Sequence, residues 1–194
     1  MLIALNESDW EIIHHTAYSR DAAHRLAGVF RAPLKANYGD PTTVRADLQG
    51  VIGEYAVHKL FSVPFKDDTT QLSNSYDILL PSRHRGECKY VNKAHYRFGL
   101  HENQRHHFHT WDVGILVTPS INGDIYSDPL VSLCISHNTF WRLQQSCELG
   151  WGGVSYMVQQ DRMTPIATLI EFEQNYESED VPYNSSGTMS YLRI

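Results

Sequence analysis

The stretch WDVGILVTP, residues 111–119, constrains this chain most. Its apolar side chains follow one another instead of alternating with polar ones, which predicts a strand covered on both faces. It is far shorter than the roughly 20 residues that span a bilayer, as is the apolar run at 130–135, so no membrane segment is expected. The fold around it must therefore supply a layer on each side.

The rest of the sequence offers suitable layers. Apolar residues at helical spacing over 8–29 predict one or two helices with Ser8 as a candidate cap, and Pro33, Gly39 and Pro41 make 31–41 a loop. A stronger helix follows over 43–61. Residues 76–80 predict a short strand ended by Pro81, and 85–91 the next strand, paired with it as an antiparallel hairpin. Residues 101–109 look helical and 130–136 look like a strand. A helix capped by Asn138 follows to residue 146, then a strand at 154–158 and a strand or short helix at 165–172. Together these predict an α/β (α+β) fold, a central mixed sheet flanked by helices. With 194 residues the chain suits one core. That core is placed at 46–172, with 1–45 as a helical extension packed on it and 173–194 as a polar tail.

Cys88, Cys134 and Cys147 form no CxxC pair, which predicts reduced thiols and no cysteine-based zinc site. The first residues lack a basic leader with a long apolar stretch, so a cytoplasmic location is expected. The net charge of −6 is unfavourable for a partner of polyanions, but it is unevenly spread. Residues 82–109 carry Arg83, Arg85, Lys89, Lys93, Arg97 and Arg105 against Glu87 and Glu102, a local +4, which leaves −10 for the remainder. Six of the eleven histidines lie there too, interleaved with Tyr90, Tyr96, Phe98 and Phe108. A basic, aromatic-laced segment of this kind suits a phosphate-facing surface.

Within it, SYDILLPSRHRGECKYV (75–91) carries the chemistry. Strand alternation puts Glu87 and Lys89 on one face and Cys88 on the other. A hairpin turning around Arg83 and His84 would set Asp77 opposite Lys89, with Glu87 diagonally adjacent. Two carboxylates would suit magnesium, which takes one or two of them plus waters and substrate phosphate. The Cys88 backbone carbonyl would complete the shell, and Lys89 would orient the attacking water or offset transition-state charge. Glu54 lies on an otherwise apolar arc of its helix, with Gly50 one turn earlier permitting close approach, and requires a partner such as the metal or Lys89. The triplet Glu87-Cys88-Lys89 is weak alone; the spacing around it strengthens it.

The order Glu54 on a helix, Asp77, Glu87-Cys88-Lys89 on a hairpin, then a helix and an apolar strand resembles the PD-(D/E)XK nuclease superfamily over about residues 47–119. The resemblance implies a restriction-endonuclease-like core and a metal-dependent nuclease acting on DNA, more an endonuclease than an exonuclease. It implies Mg2+, with Mn2+ able to substitute. Asp77 and Glu87 would bind metal, Lys89 would be catalytic and Glu54 would complete the site. Gln104 matches a glutamine that several branches place on the following helix. Tyr76 stands where many members have proline. Arg83, Arg85, Lys93, Arg97, Gln104 and Arg105 would contact the DNA backbone, and a homodimer would suit cutting of both strands. The alternative is a catalytically silent nucleic-acid-binding protein with the same fold. A zinc site among His101, His106, His107 and His109 lacks a spacing that completes a tetrahedron.

Overall fold

The computed structural model describes residues 1–26, 43–65, 76–92, 97–102, 109–148 and 153–178. The loop expected at 31–41, the candidate residues Lys93, Gln104 and Arg105, and His106 and His107 lie outside these, as does everything after 178.

The predicted apolar strand forms the middle of a five-stranded mixed sheet. It is β4 (Val113–Pro119), and every one of its residues is buried. Before it come β1 (Ile78–Leu79), β2 (Arg85–Tyr90) and, outside this sheet, β3 (Phe98–His101); after it comes β5 (Pro129–Ser136). With the short β8 (Thr164–Pro165), the order is β1-β2-β4-β5-β8. The β2–β4 pair is parallel and the others antiparallel.

Two helices, α1 (Glu7–Leu26) and α2 (Thr43–Leu60), fill the first part of the chain. The cap of α1 is Asn6, not Ser8. Asn6 Oδ1 accepts the Asp9 N–H at 2.9 Å while Asp9 Oδ2 accepts the Asn6 N–H at 2.8 Å, so two otherwise orphaned donors are met reciprocally. Asp9 also takes Lys59 Nζ and the Tyr55 hydroxyl, which joins the start of α1 to the end of α2. Between the helices lie Ile13, Ala17, Leu48, Val51 and Ile52. The inner face of α2 adds Ala56 and Val57 to a core with Ile78, Cys88, Val113, Ile115 and Val117. The helix α4 (Ile166–Ser178) covers the same sheet face through Ile166 and Leu169.

The opposite face is covered by a second sheet that the sequence reading did not contain. Its strands are β3, β6 (Gln145–Glu148) and β7 (Val154–Val158), in the order β3-β7-β6, all antiparallel. Phe98, Leu100 and Val158 from this sheet meet Trp111, Leu116, Ile135 and Phe140. The packing is tight enough that Gly114 is required, since a Cβ there would stand 2.4 Å from the Phe98 ring.

Several boundaries shift. His101 ends β3, and residues 103–108 of the helix predicted at 101–109 lie outside the described residues. The helix predicted from Asn138 is α3 (His137–Leu143), capped by Ser136 Oγ on the Thr139 N–H, and the residues after it form β6. Residues 166–178 form one helix, so the tail drawn from Glu173 begins inside α4, where Glu173 is buried. Among the described residues no helix is long and apolar enough to cross a membrane.

Candidate active site

The hairpin forms as expected but its register differs by two residues. Ile78 pairs with Gly86 and Leu79 with Arg85, and the Leu80 N–H donates to the His84 carbonyl at 2.9 Å. The turn therefore centres on Ser82, with Arg83 in the left-handed region at φ 66°. A three-residue loop ending in a left-handed residue is a standard hairpin closure. The last paired residue of β1 is Ile78, and Asp77 just before it lies beside Gly86 and Cys88, not opposite Lys89. Glu87 and Lys89 share one face of β2.

At the open end the ladder gives way to side-chain chemistry. The Asp77 N–H donates to the Gly86 carbonyl at 2.9 Å, and Asp77 Oδ2 accepts the Cys88 N–H at 2.7 Å. Since residues two apart on a strand present their amide and carbonyl to the same edge, the Cys88 carbonyl projects toward Asp77 as well. Its thiol points the other way into the core. Burial, then the charges of Asp77, Glu54 and Glu87, push that thiol well above its ordinary pKa, so it is neutral. Glu87 Oε1 accepts Lys89 Nζ at 2.5 Å.

The side chain that pairs with Glu54 is Arg20, not Lys89. Arg20 of α1 holds it in a fork, Nη1 to Oε1 at 2.8 Å and Nη2 to Oε2 at 2.7 Å. The glycine that allows close approach on α2 is Gly53, where a Cβ would lie 3.1 Å from Tyr90 Cβ; a Cβ at Gly50 would meet nothing within 4 Å.

Electrostatics tie these groups into one cluster. Burial, then the charges of Glu87 and Glu54, hold the Asp77 carboxyl well above the usual carboxylate range against the opposing pull of Lys89 and the Cys88 N–H. Burial alone would lower the Lys89 pKa, but Glu87 and Asp77 outweigh it and raise it. Burial and then Lys89 lower the pKa of His101, whose Nδ1 meets Ser155 Oγ, so the second sheet brings an imidazole to within the field of Lys89. Sequence reasoning had grouped His101 with other histidines instead.

Other candidates stand elsewhere. Arg85 donates to Asp112 through Nε at 3.0 Å and Nη2 at 2.9 Å, and Arg83 is exposed at the hairpin tip. Four residues of strand, about 13 Å, separate Arg85 from Lys89. Arg97 is exposed just before β3. The tip itself is pinned to α4 by a buried group that the sequence did not suggest. Glu173 accepts the Ser82 N–H at 2.8 Å and its hydroxyl at 2.6 Å, and His84 Nδ1 lies 2.6 Å from that hydroxyl.

Among the described residues no group of three or more His, Cys, Asp or Glu is gathered to hold a metal ion by itself. Magnesium does not need such a cage. The donor set present, Asp77, Glu87 and the Cys88 carbonyl, is all oxygen. Oxygen donors of this kind fit a hard divalent ion, whose charge would favour loss of the proton that burial and Glu87 hold on Asp77. No family model, curated protein or solved structure matches the chain.

Proposed function

We propose that this protein is a metal-dependent nuclease that hydrolyses phosphodiester bonds in DNA, as an endonuclease of PD-(D/E)XK type with a restriction-endonuclease-like core. The observation that supports it is the arrangement at the open end of the β1–β2 hairpin, where Glu87 accepts Lys89 Nζ, Asp77 accepts the intervening Cys88 N–H, and the charges of Glu87, Glu54 and Lys89 all act on Asp77. Magnesium, or manganese in its place, would be held by Asp77, Glu87 and the Cys88 carbonyl, and when bound would offset charge on the phosphoryl oxygens and supply the attacking water. The Lys89 ammonium donates to that water or to the developing charge. Glu54, closed by Arg20, acts through the surrounding charge and its water shell. Lys93, Arg97, Gln104 and Arg105 follow β2 in the chain and would hold the DNA backbone, with Arg83 and Arg85 engaging phosphates farther along it.

A second reading, a catalytically silent DNA-binding protein, draws on the ion pairs that already close Glu87 and Glu54. Calorimetric titration separates the two. Mg2+ and Mn2+ should bind the wild type, and Glu87→Gln should weaken binding about tenfold or more, within the range for a lost ligand or its supporting group. A wild type that binds neither ion would favour the silent module.

A further inference from the structure

Two hydrogen bonds hold Asp77 from β2: its N–H donates to the Gly86 carbonyl and its carboxyl accepts the Cys88 N–H. A third comes from α2. His58, buried and one turn beyond Glu54, places Nε2 3.2 Å from the Asp77 carbonyl oxygen. Its Nδ1 lies 3.1 Å from the Pro64 carbonyl oxygen and 3.3 Å from that of Val63, and the Phe65 ring packs edge-on against the imidazole. An acceptor therefore stands at each ring nitrogen, and the tautomer with its proton on Nε2 donates to the Asp77 carbonyl.

We propose that His58 is a positioning residue that fixes the Asp77 main chain, and through it the direction of the Asp77 carboxylate; its functional consequence rests on the nuclease reading. The clamp joins the chain leaving α2 at Val63 and Pro64 to the chain entering the hairpin at Asp77. Without it the Asp77 peptide is tethered to the strand alone and can turn about it. Glu54 and His58, four residues apart, share a helix face, so α2 serves the site twice, once by charge and once by holding the main chain. Displacement of a reacting group by about an ångström is enough to cost catalysis about a hundredfold.

Two conservative variants test this. In His58→Gln the amide nitrogen falls where Nε2 was and keeps the donor to Asp77; in His58→Asn it falls where Nδ1 was and can donate only to Pro64. Each keeps one donor group, so a merely structural role affects both alike. Amide hydrogen exchange is read at Cys88, whose N–H donates to the Asp77 carboxylate. His58→Asn should lower Cys88 protection by about tenfold or more, and His58→Gln should leave it within about twofold of wild type, as local openings allow. On DNA, kcat should fall in His58→Asn and recover in His58→Gln with KM unchanged. Equal Cys88 protection in the two variants, greater loss in His58→Gln, or loss of the fold in both alike would overturn the inference. Exchange decides it whether or not the chain cuts: a wild type that cuts nothing while the contrast at Cys88 holds sinks the nuclease reading and leaves the positioning role standing.

Discussion

Asp77→Asn should lower DNA cleavage by about 10²–10³-fold, the size expected when one group that stabilises transition-state charge is removed, and at the same time raise the melting temperature of the metal-free protein. The second effect follows from linkage. Burial, then Glu87 and Glu54, raise the Asp77 carboxyl well above its ordinary value, so the native chain keeps a proton that the unfolded chain has already released. Stability therefore falls as pH rises from the ordinary carboxylate value near 4 through the raised one, and the penalty is complete above it. Asparagine carries no such charge, and its carbonyl can still accept the Cys88 N–H. Melts in chelator at pH 8 should show the variant above wild type, with the difference vanishing in acid. A variant that melts lower at pH 8 would show that the cluster is not frustrated. Gain of stability on loss of function is the usual mark of a working site.

Phe140→Ala should cost about 3–5 kcal/mol, the range for deleting a buried aromatic ring. Phe140 is fully buried, with ring centroids 5.6 Å from Phe98, 5.7 Å from Trp111 and 5.1 Å from Trp141. Those partners come from β3, the segment before β4 and α3 itself, so one ring ties the small sheet to the large one. The tight Gly114–Phe98 contact leaves little freedom for neighbours to refill the space. Against a total stability of about 5–15 kcal/mol the loss is large, and the melting temperature should fall on the order of 10 °C. Urea unfolding measures it directly, and a loss under about 1 kcal/mol would mean that the two sheets are not joined through this cluster.

What the sequence made legible was local. β4 was readable because a strand buried on both faces has few polar positions, and α2 because Leu48, Val51, Ile52 and Tyr55 recur at helical spacing. That Glu87 and Lys89 share a face followed from strand alternation alone. The register did not, because Arg83 adopts a left-handed conformation that Arg rarely takes and so moves the turn to Ser82. β3 was missed because four residues of alternation are a weak signal beside a run of histidines, and β6 because its residues are polar and mostly exposed. Arg20 on Glu54, His58 on Asp77 and Glu173 on Ser82 are contacts between residues 19 to 91 positions apart. No local pattern encodes such pairs; they follow only once α1, α2 and α4 are docked.

The most direct test is cleavage of labelled single-stranded, duplex and branched DNA by the wild type and Lys89→Ala, each with Mg2+, with Mn2+ and with chelator. The account predicts cutting of at least one substrate by the wild type that needs the metal and is lost in Lys89→Ala; cutting that survives chelator or the Lys89→Ala change, or no cutting of any substrate while DNA binding persists, would contradict it.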